Sequence, residues 1–279
     1  MKVHGTHRTH YSFDQPVTLD RHTIRLTPRS GGGQLLKKFH LHVEPEPCAV
    51  AELIDAEGNA LQNCWFSGQT DHLTILTEFE VENKHSNPFD YIPAQSAVIP
   101  FRANEQEKAV LHPAQKGIVR GEMQELALQI ADRCGGSAVD YVSQANQWVY
   151  ENIRYEVRED GEPYSPDETL RDRRGACRDT AVLLMAFCRA MALPARFVSG
   201  YQEGDADTEQ RDLHAWAEVW IPGGGWRGFD PTHGLAVADR HIPLAASVDP
   251  LLTAPVSGGF FSRHAVAQLP EHHIRLSVS

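Results

Sequence analysis

Gly175-Ala176-Cys177-Arg178-Asp179 sets a cysteine at the start of a strongly apolar run, His214 opens a segment of alternating character, and Asp230 closes a third segment just before Pro231. In that chain order these are the parts of thiol-based acyl transfer. A sulfur attacks, an imidazole takes its proton, and a carboxylate fixes the tautomer of the imidazole. The start of a helix suits such a sulfur, because unpaired backbone N–H groups and the helix dipole stabilise a thiolate. Arg173, Arg174 and Arg178 add positive charge nearby. A helix-terminal cysteine alone is as readily a small buried apolar residue. The histidine and the aspartate downstream turn the reading toward chemistry.

The elements that must position these residues are legible from periodicity. Residues 177–192 read as the most apolar helix of the chain, ended by Pro194. After it the period becomes two, giving strands over 195–201, 213–221 and 226–230, the last two joined at Pro222-Gly223-Gly224-Gly225. On the middle strand His214, Trp216, Glu218 and Trp220 face one way, while Leu213, Ala215, Ala217, Val219 and Ile221 face the core. His214 and Asp230 can meet only if they share a face. Ile221 opposite Trp226 would place Asp230 opposite Ala217, on the wrong face; Ile221 opposite Gly225 places it opposite Trp216, on the face of His214. The chemistry therefore predicts a three-residue loop, or a bulge that shifts the register by one. An acidic stretch over 203–212 reads as solvated surface.

Upstream, Met123, Leu126, Ala127, Ile130 and Cys134 make an apolar helical stripe stopped by Gly135-Gly136. Ser137 and Ser165-Pro166-Asp167-Glu168 read as helix starts. The first hundred residues read as β instead, with alternation at Thr23-Ile24-Arg25-Leu26-Thr27, Lys38-Phe39-His40-Leu41-His42-Val43 and His72-Leu73-Thr74-Ile75-Leu76-Thr77. Turn residues between them suggest an antiparallel sandwich or curled sheet, and Asn87-Pro88-Phe89-Asp90-Tyr91-Ile92-Pro93 reads as a linker. The expected organisation is a β domain over 1–95, a catalytic domain over 96–250, and an extension over 251–279 that adds a strand.

Composition narrows the function classes. The chain has 279 residues and a formal net charge of −11. Without a long Lys/Arg run it is a poor binder of nucleic acid or anionic membrane. No apolar stretch is long enough to span a bilayer, and no secretory h-region opens the chain, which leads us to expect a cytoplasmic protein. The five cysteines, at 48, 64, 134, 177 and 188, are odd in number and widely spaced, so free thiols are expected rather than a disulfide framework. Of these Cys177 is expected to react in the folded protein, the other four only on unfolding. His4, His7, His10 and the pair His272-His273 fit no usual zinc spacing and read as structural or exposed. Gly31-Gly32-Gly33 lacks the surroundings of a phosphate loop. No metal and no cofactor is expected.

Four blocks in order, Gly175-x-Cys177-x-Asp179, Pro194-Ala195-Arg196-Phe197-Val198-Ser199-Gly200-Tyr201, His214-Ala215-Trp216-Ala217-Glu218-Val219 and Gly228-Phe229-Asp230-Pro231-Thr232, resemble the transglutaminase-like superfamily. More closely, the chain resembles bacterial transglutaminase-like cysteine proteases with an N-terminal β domain, through His7-Arg8-Thr9-His10-Tyr11, Leu26-Thr27-Pro28-Arg29 and Asp55-Ala56-Glu57-Gly58-Asn59. The resemblance implies an α+β, papain-like fold with Cys177 as nucleophile, His214 as base and Asp230 as orienting carboxylate. Relatives often carry an aromatic where Thr180 follows Asp179 here. The oxyanion hole would combine the Cys177 N–H with an upstream donor, Tyr155 or Tyr164, and Asp179 and Trp216 are further candidates beside the substrate. The expected partner is a peptide or protein substrate. Hydrolysis of a peptide or amide is the first expectation, transamidation or glutamine deamidation the second, and a catalytically silent peptide-binding scaffold the third.

Overall fold

The structure, a computed structural model, describes residues 1–278 apart from 116, 118, 159–160 and 204–211; most of the acidic stretch over 203–212 thus lies outside the described residues. Six strands come first: β1 (Lys2–Leu19), β2 (His22–Ile24), β3 (Gln34–Glu44), β4 (Ala49–Ile54), β5 (Ala60–Trp65) and β6 (Thr70–Asn83). A helical segment follows, with α1 (Glu105–Gln115), α2 (Glu122–Ala131), α3 (Ala138–Asn152), the short β7 (Arg154–Tyr155), α4 (Pro166–Asp172), β8 (Arg174–Gly175) and α5 (Cys177–Ala190). Then come β9 (Ala195–Gln202), β10 (Leu213–Ile221), β11 (Gly225–Asp230), β12 (Leu235–Ala236) and β13 (His241–Ser247). The chain closes with β14 (Val256–Ser257), β15 (Phe260–Phe261) and β16 (Glu271–Val278).

Two antiparallel sheets, in the orders β15-β1-β6-β3 and β14-β2-β5-β4, are built mainly from the first strands. The C-terminal β16 pairs with the free side of β1 from Val3↔Val278 to His10↔Glu271, so the last residues complete the first sheet. The alternation read over 23–27 survives as strand only to Ile24; Leu26 and Thr27 are buried beyond its end. Cys48 corrects the thiol expectation. It is exposed just before β4, an edge strand, whereas Cys64, Cys134 and Cys188 are buried and all five thiols are free.

The third sheet, in the order β12-β11-β10-β9-β13, carries the residues of interest. Its face of Ala215, Ala217, Val219 and Ile221 is buried in one core with Ala181, Leu184, Phe187 and Cys188 of α5. Small side chains on the strand let the helix lie close, and the apolar run of α5 is satisfied on nearly every side. Ile221 pairs with Gly225 across the loop 222–224, and the ladder runs through Ala217↔Phe229. This is the three-residue loop that the chemistry demanded. Capping follows the sequence: Ser165 and Glu168 make a reciprocal capping box on α4, and the Ser137 hydroxyl accepts the Asp140 N–H of α3. Among the described residues no helix is long and apolar enough to cross a membrane.

The sheets share a second core, in which Ile75 and Phe79 of β6 meet Tyr201 of β9 and Ile242 and Leu244 of β13. A polar seam runs beside it. His7 has no exposed surface, with Nδ1 2.8 Å from the Tyr201 hydroxyl and Nε2 3.0 Å from Thr9 Oγ1. Burial, with His272 nearby, lowers its pKa to about 3, so it stays neutral. The expectation of a structural histidine fits this position.

Gly200 lets the third sheet hold an indole. A Cβ there would stand 2.3 Å from the Ile242 carbonyl oxygen and 2.5 Å from the Trp216 ring. Backbone on one side and a buried ring on the other leave it nowhere to go. Gly200→Ala is therefore expected to lower stability by about 1–3 kcal/mol, read as a fall of several degrees in the thermal midpoint. An unchanged midpoint would show that Trp216 is not packed over this glycine.

Candidate functional site

Cys177 is the first residue of α5 and is partly exposed. Its position depends on Asp179, which has no exposed surface. One oxygen of this carboxylate, Oδ2, accepts the Ala176 N–H at 2.8 Å. The other, Oδ1, accepts the Tyr164 N–H at 2.7 Å and Arg158 Nη2 at 2.9 Å. The helix start is thereby tied to the segment that precedes α4. A Cβ on Gly175 would stand 2.7 Å from Asp179 Cβ, so glycine leaves the room that this buried carboxylate occupies. Gly175-x-Cys177-x-Asp179 is one geometric unit. Asp179, a candidate from the sequence for a place beside the substrate, is buried and caps the start of the helix.

His214 faces Cys177 from the start of β10, and its Nε2 lies 2.7 Å from Asp230 Oδ2. A carboxylate only accepts, so the imidazole N–H donates. Burial alone would lower the pKa of His214. The Asp230 charge and hydrogen bond, reinforced by the hydrogen-bonding Cys177 side chain, raise it instead to about 10. For Asp230 burial pushes the pKa up, yet His214 and then His241 outweigh it and hold the carboxyl well below its ordinary range. An imidazolium at His214 is what a neighbouring sulfur needs to persist as thiolate.

Thr180 extends this construction. Its hydroxyl donates to the Cys177 carbonyl at 3.0 Å and lies 3.2 Å from Thr232 Oγ1. With the Thr180 proton committed, the Thr232 hydroxyl is the donor between them. Thr232 in turn gives its N–H to Asp230 Oδ1 at 2.9 Å. A hydroxyl at 180 thus links the helix start to the turn that holds the carboxylate.

Sequence reasoning missed His241. It opens β13 with 2% of its surface exposed, and its Nε2 lies 2.9 Å from the same Asp230 Oδ2. The only signal available was the alternation of His241-Ile242-Pro243-Leu244, a strand whose place beside β9 sequence spacing does not reveal. Among the described residues, His214, Asp230 and His241 are the one group whose ligand atoms lie close enough, within 4.8 Å, to suit a metal ion. Both Nε2 atoms are committed to hydrogen bonds on a single oxygen, an arrangement of donors around an acceptor.

The remaining candidates separate. Tyr155 is about half exposed and pairs with Gly175 across the parallel β7–β8 bridge. Its pKa is raised first by burial and next by the charge at Cys177, which places its hydroxyl in the electrostatic reach of the sulfur. Tyr164 instead lies under the Arg158 guanidinium, 3.7 Å from the ring centroid. Trp216 is 1% exposed and packs with Val198 and Ala246, so it forms a buried wall. Trp220 packs edge-on against Trp226 at 5.7 Å.

Residues 124–231 match the transglutaminase-like superfamily core, and residues 3–82 match the bacterial transglutaminase-like N-terminal region. The uncharacterized protein ML0607 of Mycobacterium leprae is 26% identical over 273 residues, 95% of each chain. A protein-glutamine gamma-glutamyltransferase of Pseudomonas aeruginosa is 40% identical over 105 residues, which is 33% of this chain and 15% of that protein. A crystal structure described as a "putative cysteine protease" from Cytophaga hutchinsonii has a TM-score of 0.75 at 20% identity, covering 99% of this chain and 90% of that one. The fold is the same.

The raised His214 pKa fixes a sign for pH dependence. A base whose pKa rises on folding contributes stability that is fully present below its ordinary value of 6.5 and lost as pH climbs to about 10. Asp230, with its pKa lowered, contributes above the ordinary carboxylate range and loses this as pH falls. Urea midpoints of wild type and His214→Gln are expected to converge between pH 6.5 and 10. Two curves falling in parallel over that window would contradict the pairing.

Proposed function

The chain carries a transglutaminase-like superfamily core behind a bacterial transglutaminase-like N-terminal region, and from that premise we propose that it is a cysteine-dependent acyl-transfer enzyme that hydrolyses peptide or amide bonds through a thioester on Cys177. The observation that carries the reading is His214, set between the Cys177 side chain and a fully buried carboxylate. Cys177 Sγ attacks the carbonyl carbon, and the sulfur's proton resides on His214. The oxyanion is met by the Cys177 N–H, which as the first helical donor has no partner within α5, and by the Tyr155 hydroxyl. His214 passes its proton to the leaving nitrogen as the C–N bond breaks. Water then gives a proton to His214 and its oxygen to the acyl carbon, the C–S bond breaks, and the carboxylic acid departs.

A second reading keeps the same thioester but resolves it with an amine. It is favoured by the segment 40% identical to a protein-glutamine gamma-glutamyltransferase. The two readings differ only in the acceptor, which loops select and a shared core does not.

Cys177→Ala is expected to remove about 10⁶-fold of the activity, the loss seen when a triad nucleophile is deleted, while the thermal midpoint stays nearly unchanged. The thiol is partly exposed, so its removal costs well below the roughly 2–5 kcal/mol of emptying a large aliphatic core site. His214→Ala should behave alike, and the double variant should be little worse than either. The readout is amine or ammonia release from a library of peptide amides, with and without an added primary amine. Retained turnover in Cys177→Ala would sink the reading. Unfolding of that variant like a core deletion would instead move the peptide-binding scaffold to first place.

A further inference from the structure

Asp230 Oδ2 receives two imidazoles, and only one of them faces the sulfur. His214 Nε2 lies 2.7 Å away and His241 Nε2 2.9 Å away, while Oδ1 is taken by the Thr232 N–H at 2.9 Å. The His241 ring is held on several sides. Trp216 meets it edge-on with centroids 5.2 Å apart and planes at 78°. Its strand is locked to β9 through His241↔Gln202 and Ile242↔Tyr201. His241 lies outside the residues matched to the superfamily core, which end at 231.

From this geometry we infer that His241 is a positioning residue, whose Nε2–H holds Asp230 Oδ2 in the orientation that fixes His214 against Cys177. The inference rests on the reading of Cys177 as nucleophile. A carboxylate on a short side chain can turn about its last bond. With Oδ1 tied to the Thr232 N–H, and with His214 required to shift as it takes and gives a proton, Oδ2 needs a donor that does not take part in the chemistry. His241 is such a donor. The titratable groups facing it are Asp230 on β11, His214 on β10 and His233 after β11. Burial outweighs the pull of Asp230 and lowers its pKa, so His241 stays neutral. A neutral imidazole carries a single N–H, and beside a carboxylate that hydrogen sits on Nε2. The removal of this donor frees the carboxylate to rotate and weakens its hold on the His214 imidazolium. Alkylation of the sulfur at low pH then slows.

The test is the pH profile of Cys177 alkylation by iodoacetamide, read by peptide mass, with exposed Cys48 as internal reference. In wild type Cys177 is expected to outpace Cys48 well below neutrality. In His241→Phe, which keeps a flat ring but has no donor, the acid limb is expected to move up by about one pH unit, with a loss of about tenfold in rate on that limb, the scale of one hydrogen bond to a charged group. His241→Gln, which restores an N–H, is expected to return most of it. A fast wild-type Cys177 whose profile is the same in His241→Phe, or moves to lower pH, overturns the inference alone. A wild-type Cys177 no faster than Cys48 overturns the reading of the site and the inference with it. Should His241→Phe fail to fold, nitrogen-15 spectra of histidine-labelled wild type decide, with the His241 signals identified by their loss in His241→Gln. A neutral Nε2–H tautomer across pH 6–9 supports the role, and titration within that range or an Nδ1–H tautomer overturns it.

Discussion

A negative charge with no exposed surface has to be satisfied by the protein around it, and at Asp230 that requirement organises the site. Three donors from different parts of the third sheet converge on one carboxylate: His214 from β10, His241 from β13, and the Thr232 N–H from the turn after β11. Each sets a condition on the fold. β10 and β11 must pair with Ile221 opposite Gly225, β13 must lie against β9, and the chain must turn at once beyond Asp230. A slip of one residue in the hairpin would turn the carboxylate to the helix-packed face and strand a buried charge. The register is thus enforced by electrostatics as well as by the apolar face of β10.

The helix side meets an independent constraint. Asp179 is also fully buried, and it holds the start of α5 through the Ala176 N–H while it anchors Arg158 and Tyr164. The Thr180 hydroxyl joins the Cys177 carbonyl to the Thr232 hydroxyl, and the Thr232 N–H reaches Asp230, so the helix start is tied to the turn beyond β11. The sulfur is therefore fixed from the helix and the imidazole from the sheet. Behind the sheet, Tyr201 reaches the first strands through His7, which joins the N-terminal layer to β9.

The parts of this arrangement legible in the sequence are those where chemistry and periodicity point the same way. His214 and Asp230 have to share a face, and that demand alone picks the hairpin register. The runs at 177–192 and 213–221 are long and strongly patterned. β1 is not legible because its inward positions are Val3, Gly5, His7 and Thr9, and Gly5 is required by the Phe79 ring that lies on it. A strand that buries a glycine, a histidine and a threonine shows no hydrophobic alternation. His241 escapes for another reason: its role arises from pairing between β13 and β9, a long-range contact that local spacing does not encode. Asp179 and Trp216 lie beside the reacting groups in sequence, yet one serves a helix start and the other a wall.

The proposed thioester chemistry requires that Cys177 form a covalent bond to the acyl part of its substrate. Its most direct measurement is the mass of the intact protein quenched in acid during turnover of a peptide-amide library, followed by peptide mapping. The expected result is an added mass equal to the acyl portion, carried by the peptide that contains Cys177 and released by hydroxylamine as a thioester would be. Turnover without any adduct on Cys177, or an adduct carried by Cys48 instead, would contradict it.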